Sequence, residues 1–409
     1  MCLARGWRRD PTQCLFPNLS CLEAEWDGYL PYLPHEKLVS LGLLATEEIS
    51  SSYEANILEE ALQTVIERSC HIQRLFLQAQ FEMGPPEDAS PTFTYFTRAI
   101  VNVGLPDLRY FQCNIRLSAH DISALGSLPA LEHLTLTLLT EAVLFDNPLT
   151  ILPPRSLFPV LQVLEMTSKD ISNGCKVVGS IASMQLRILS VICAGQFTTS
   201  SSLAIFFHGI QHLHCLKTIS VKCELFDEDV DDVDLADRTI FPVTLQPLLS
   251  LRGLTDVHID TPLTLSLNDQ LISDAAKAWP SLRKLTIQSE AVSHRYRPEL
   301  TLGGLLPLAE YCPQLIRLSL PMDLDLPSED IQQKTRQLRK RQVHLLERID
   351  ATFTCEVVDP NVDELANFVM ELFPSLRKFV TRSGLFKEDH DVAEPTWRLL
   401  LAALEQKTQ

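Results

Sequence analysis

No stretch of eighteen or more uninterrupted apolar residues occurs in the 409-residue chain, so it offers no candidate for a membrane-spanning helix. Residues Met1 to Asp10, with Arg5, Arg8, Arg9 and Asp10 among them, lack the apolar core of a signal peptide. The eleven cysteines are odd in number, spread from Cys2 to Cys355, and form no C-x-x-C pair. That pattern fits a reduced thiol set better than a disulfide framework. A soluble protein of the cytoplasm or nucleus is expected. Positive charge is also scarce: 35 lysines and arginines stand against 52 carboxylates, a net charge of -17. General affinity for nucleic acid or an anionic membrane is therefore not expected.

The usual signatures of chemistry are missing too. There is no Gly-rich phosphate loop, no G-x-S-x-G elbow and no H-E-x-x-H zinc motif. His35-Glu36 has no partner histidine three residues beyond the glutamate. One concentration of metal-binding types exists, at His208, His212, His214 and Cys215 with Cys223 nearby. His208 and His212 could share a helix face, but His214 and Cys215 fall at a turn and Cys223 lies beyond the next strand. We expect no enzyme activity, no cofactor and no metal site.

What the chain does have is a repeated phrase: apolar, two residues, apolar, one residue, apolar. It occurs eleven times between residues 72 and 381, most clearly as Leu131-Leu134-Leu136, Leu282-Leu285-Ile287 and Leu315-Leu318-Leu320. Successive copies start 23 to 38 residues apart. The second and third apolar positions lie two apart, so on a strand both point to one face. A strand this short cannot stand alone, whereas stacked parallel copies share one apolar interior. Between copies the sequence turns helical. Residues 53 to 68 place Ile57, Leu58, Ala61, Leu62, Val65 and Ile66 on one helix face, with Ser50 to Ser52 as N-caps. Weaker helical patterns cover 93 to 103, 201 to 211, 270 to 278, 303 to 311, 329 to 347 and 361 to 372. Several stop at Trp279-Pro280, Cys312-Pro313 or Phe373-Pro374, because proline cannot continue a helix and drives the preceding residue toward extended backbone. The expected fold is an α/β leucine-rich repeat solenoid, with a parallel sheet on the concave face and helices on the convex face.

A repeat array can run the length of the chain as one body. We expect an irregular segment over 1–14 and the solenoid over 15–409, with an acidic insertion at about 224–238. Glu224, Asp227, Glu228, Asp229, Asp231, Asp232, Asp234 and Asp237 fall within that stretch. It lacks the glycine and terminal glutamate of a helix-loop-helix calcium site, so a solvated insertion is the simpler reading, and deletion of residues 226 to 237 should leave the solenoid folded.

The outward residues of the strands are the natural contact set. Aligning the copies on the position before the second apolar residue gives Arg74, Tyr110, His133, Val163, Ile188, Thr218, Asp256, Lys284, Arg317, Arg348 and Lys378. The last four are cationic. Strands about 4.8 Å apart would make them a narrow positive stripe in an acidic protein, which Arg382, past the third apolar site of the last copy, could extend. Such a stripe suits an acidic or phosphorylated segment of a protein partner. Val163, Ile188 and Ile192 read as a more apolar contact region. Ser328, Glu329 and Asp330 at the start of the 329–347 pattern, and Lys334, Arg336, Arg339, Lys340 and Arg341 toward its end, are the polarity a solvated helix prefers.

The N-terminal segment carries a further likeness. Leu15-Phe16-Pro17-Asn18-Leu19-Ser20-Cys21-Leu22, Glu25-Trp26, Leu30-Pro31-Tyr32-Leu33 and Lys37-Leu38-Val39-Ser40-Leu41-Gly42-Leu43, with Arg68-Ser69-Cys70 and Gln73-Arg74-Leu75 beyond, resemble the opening of the repeat region in fungal, basidiomycete-type F-box proteins with degenerate leucine-rich repeats. The resemblance implies that the repeats hold a protein to be ubiquitinated, while an F-box docks to the adaptor of a cullin-type ubiquitin ligase. Residues 1 to 14 are too few for an F-box, and Leu30-Pro31-Tyr32-Leu33-Pro34 falls inside the first repeat. An adaptor is thus a partner only if an F-box lies upstream. The expected function is a non-enzymatic protein-binding module, the substrate-recognition repeats of a ubiquitin ligase component. A leucine-rich repeat scaffold or inhibitor unconnected with ubiquitin is the alternative.

Overall fold

The computed structural model describes residues 19–25, 37–45, 68–69, 71–79, 105–114, 117, 119–138, 155–194, 198–224, 237–289, 298–323, 328–338, 344–352 and 362–382. By its contacts the chain divides into two compact units, residues 1–169 with 173–186, and residues 170–172 with 187–409.

In the first unit six strands pair in parallel and in chain order: β1 (Cys21–Glu25), β2 (Ser40–Ala45), β3 (Arg74–Ala79), β4 (Tyr110–Cys113), β5 (His133–Leu138) and β6 (Val163–Ser168). The last four are copies of the phrase. The first two extend the array toward the N-terminus, and Leu38-Leu41-Leu43, fully buried in β2 and its approach, is the same phrase outside the eleven copies. In the second unit β7 (Ile188–Cys193), β8 (Thr218–Cys223), β10 (Asp256–Thr261), β12 (Lys284–Ser289), β13 (Arg317–Pro321), β14 (Arg348–Thr352) and β15 (Lys378–Arg382) pair in the same parallel manner. Two-residue strands β9 (Thr239–Ile240) and β11 (Thr264–Leu265) form a separate parallel pair that the periodicity does not announce.

Eight of the described repeats enter their strands by the same turn. The N–H of the first apolar residue returns to the carbonyl three residues back, as in Leu216 to Leu213, Leu282 to Trp279, Leu315 to Cys312 and Leu376 to Phe373. Pro280 and Pro313 follow residues with φ near -120° and -114° and ψ near 64° and 66°, so Trp279 and Cys312 leave the helix at the expected positions. Helices Ser200–Gly209, Asp269–Ala278, Leu305–Tyr311 and Val362–Leu372 occupy the predicted stretches. Leu271, Ile272 and Ala275 of the second of these share one apolar interior with Val257, Ile259, Leu285 and Ile287 of the strands. Strand, turn and helix in alternation, with parallel strands on one side and helices packed on their apolar face, make these units an α/β leucine-rich repeat solenoid.

Three departures are instructive. The pattern over 329–347 overshoots: the helix is Glu329–Leu338, and residues 344–347 are not helical. His344 is instead buried, with Nε2–H donating to the Ala309 carbonyl and its ring edge-on to Phe373. Helices Ala119–Gly126 and Ile171–Ser180 were not signalled, and the second contains Asn173, Gly174 and Gly179, all poor helix formers that tertiary packing overrides. The predicted helices at 53–68 and 93–103 lie outside the described residues, Arg68 excepted, as do residues 1–14 and six of the eight carboxylates of the acidic stretch.

Two sites give stability predictions. His344 Nδ1 has no hydrogen-bond partner, and burial lowers the ring's pKa although the Ala309 carbonyl works in the opposite direction. A histidine whose folded pKa lies below its unfolded value near 6.5 binds its proton preferentially in the unfolded chain. Its neutral form is therefore favourable above that pH, and stability falls as pH drops below about 6.5. A thermal melt series from about pH 8 to 5.5 should show that loss shrinking in His344→Gln, and an unchanged slope would refute it. At Gly304 an added Cβ would sit 2.5 Å from Leu300 Cδ1 and 2.7 Å from Asp269 Oδ1. That carboxylate is held in place, accepting from the Thr301 N–H and hydroxyl at 2.8 Å each. Gly304→Ala should cost about 1–3 kcal/mol in denaturant unfolding, as overpacking does.

Candidate partner-binding surface

Parallel pairing turns one column of the repeat into one row on the sheet. In the second unit the register runs Ile188, Thr218, Asp256, Lys284, Arg317, Arg348, Lys378 across seven strands. The four cationic residues are therefore direct neighbours in strand order. Lys284, Arg317 and Lys378 are exposed and Arg348 is half-buried. Lys284 Nζ lies 3.4 Å from Asp256 Oδ1, a partly exposed pair worth little in water. Arg382 does not extend this row. It pairs with Thr352, two rows along the strand, in the row of Lys222 and Asp260.

The same alignment carried two residues further gives a second outward row, Ser190, Ser220, His258, Thr286 and Ser319. Ser220, Thr286 and Ser319 of this row, with the larger His258 among them, line a groove of about 550 Å³ over β8 to β14, edged by Lys284, Arg317 and Arg348 on one side. Asp256 and Asp260 edge it on the β10 side. Ser319 Oγ accepts from Gln288 Nε2, which leaves its own proton to donate. A narrow groove with two guanidinium groups on adjacent strands can hold a carboxylate or phosphate by forked, charge-assisted hydrogen bonds.

The residues expected to form an apolar region are placed separately. Val163, half-buried, belongs to the first unit; Ile188, 36% exposed, and Ile192, half-buried, belong to the second. All three stand at outward positions of their strands. In the first unit the structure adds an aromatic stack that the column of first outward residues only half revealed. Phe76, Tyr110 and His133 sit on β3, β4 and β5 with centroids 4.9 and 4.3 Å apart. Phe76 belongs to the second outward row, where the same alignment would have found it. Burial lowers the His133 pKa, opposed by the Glu165 carboxylate, whose nearest oxygen is 3.9 Å from Nε2 and too far for a hydrogen bond.

The histidine cluster does not converge. His208 and His214 are exposed, His212 Nδ1 faces the Gly209 carbonyl at 2.9 Å, and Cys215 is exposed while Cys223 points into the core. Among the described residues no three histidine, cysteine or carboxylate side chains are grouped for a metal ion, and no helix is long and apolar enough to cross a membrane.

No protein-family model and no curated protein matches the chain. Among solved structures it is similar to the leucine-rich repeat-containing protein LegL7 from Legionella pneumophila, at 11% identity and a TM-score of 0.36 over 90% of this chain and 98% of that one. It is also similar to a chain of the yeast Rad7 and Elc1 complex, at 18% identity and a TM-score of 0.39 over 85% and 80%. A third similarity is to a TLR13–ssRNA13 complex, at 12% and 0.37 over 91% of this chain and 52% of that one. These are likenesses of architecture. The fold assignment stands on the chain's own strands, turns and helices.

Proposed function

We propose that the chain is a non-enzymatic protein-binding module, the substrate-recognition repeats of an F-box-type ubiquitin ligase component. It holds an acidic or phosphorylated segment of its partner across β12 to β15. The observation that carries the reading is register: Lys284, Arg317, Arg348 and Lys378 form one uninterrupted cationic row beside a groove lined by Ser220, His258, Thr286 and Ser319, in a chain of net charge -17. A local reversal of sign on an otherwise acidic protein selects for an anionic ligand and repels other surfaces. Ile188 and Ile192 supply apolar contact on the same unit, Val163 is an apolar contact residue of the first unit, and Arg382 adds a cation to β15.

The link to ubiquitin rests on the resemblance of residues 15–43 and 68–75 to F-box repeat proteins. Affinity capture from the native cell extract, with and without proteasome inhibition, tests both parts. A captured protein that accumulates in ubiquitinated form under inhibition supports the whole reading. Capture of the same partner with no ubiquitin dependence would leave a scaffold or inhibitor. Capture indifferent to salt would remove the cationic row from the interface.

A further inference from the structure

Cys193 and Cys223 end β7 and β8 and are direct register partners. Both are free thiols, and both are buried, at 0% and 4% exposure. In-register residues on neighbouring parallel strands have Cα atoms about 4.8 Å apart, within the 4.4–6.8 Å span of protein disulfides. Each residue stands two places beyond the third apolar position of its repeat, so both side chains enter the same interior. Leucine, isoleucine or valine would fill that interior without reactivity. Two thiols instead bring paired chemistry to one point.

We propose that Cys193 and Cys223 form an oxidant-responsive dithiol, a modification site that closes to an intrachain disulfide in the folded protein when it meets a peroxide. Cys223 is the attacking sulfur. The Cys193 thiol donates a hydrogen bond that lowers the Cys223 pKa, and the same contact, with burial behind it, raises that of Cys193. The Thr198 hydroxyl, buried and lacking a well-formed hydrogen bond of its own, leans on both sulfurs and lowers both. The Cys223 thiolate attacks one oxygen of hydrogen peroxide as the O–O bond breaks, giving a sulfenic acid and a hydroxide that takes up a proton as water. The Cys193 sulfur then displaces the sulfenic oxygen, the S–S bond forms, and the thiol proton leaves with that oxygen as a second water. Each sulfur loses one electron and the peroxide gains two. β8 also carries Thr218 and Ser220 of the groove, so the modified sulfur lies on the inner side of a strand that edges the partner-binding face.

The test uses the full chain, reduced and then exposed to hydrogen peroxide, alkylated, digested without reductant and mapped by mass spectrometry. The expected product is one cross-linked peptide pair containing Cys193 and Cys223, lost on reduction, with neither of these two thiols left to alkylate. Exposed Cys21 and Cys215 report that the oxidant acted. If they oxidise while Cys193 and Cys223 remain alkylated after unfolding, the proposal is overturned. Cross-linking of either buried cysteine to Cys215 instead would overturn it equally. In Cys193→Ser, checked for a native circular dichroism spectrum, Cys223 should stop at the sulfenic acid and become trappable by dimedone. Absence of that adduct would remove Cys223 as the attacking sulfur.

Discussion

Arg317→Glu combined with Arg348→Glu should abolish capture of the partner while leaving the circular dichroism spectrum and melting temperature nearly unchanged. Both residues sit at outward positions of adjacent strands, and exposed positions away from the core usually change stability by less than about 0.5 kcal/mol. Binding is another matter. A hydrogen bond to a charged group contributes roughly 1.5–3 kcal/mol when the complex excludes water from it. Losing two such contacts would weaken affinity by about 3–6 kcal/mol, a factor of roughly 10²–10⁴ before the new repulsion is counted. Because Arg348 is half-buried, Arg317→Glu with Lys378→Glu, both at exposed sites, serves as a second pair. Wild-type binding should also weaken as salt rises, since exposed charges are screened beyond about 8–10 Å. A partner held equally by both double variants would place the interface elsewhere, first of all at Ile188 and Ile192 or Val163.

Leu285→Ala should cost about 2–5 kcal/mol in denaturant unfolding. Leu285 is fully buried, lies between Val257 and Leu318 in register, and faces the helix that carries Leu271, Ile272 and Ala275. Removing its branched end leaves a cavity that neighbouring strands cannot close without breaking their own hydrogen bonds. In a stacked array each repeat is stabilised by the next, so the loss is felt in the flanking copies as well. Lys284→Ala, one residue earlier and on the opposite face, is the control and should shift unfolding by less than about 0.5 kcal/mol. Equal effects from the two would mean that the assigned inward and outward faces are wrong.

That contrast shows what the sequence could and could not disclose. The phrase apolar-x-x-apolar-x-apolar is a statement about which side chains face inward, and burial forces it to recur. Leu131, Leu282 and Leu315 therefore announce their strands, and parallel pairing makes an alignment column into a row. The cationic stripe was legible for that reason. Arg382 was misplaced relative to the stripe because adjacency along a strand is not adjacency across strands. The pair β9 and β11 is too short for any period, and the Ile171–Ser180 helix runs against its own propensities. Cys193 and Cys223 were hidden by counting cysteines along the chain when their meeting depends on register. His344 belonged by pattern to a helix, but its burial against Ala309 ends that pattern early.

At the proposed interface the register of β12 to β15 would act as a ruler with a pitch different from that of a peptide ligand. Neighbouring cations are separated by one strand spacing, about 4.8 Å, whereas a peptide in the polyproline II conformation advances about 3.1 Å per residue and returns its side chains to one face every third residue. Two strand steps and three peptide residues come to nearly the same length, just under 10 Å. A polyproline II segment crossing the strands would set acidic residues over Lys284 and Arg348, or over Arg317 and Lys378, when they are three apart in its sequence. Acidic residues next to each other would leave one side chain between cations or turned away. The spacing of the ligand's charges, more than their number, would be what the proposed interface measures.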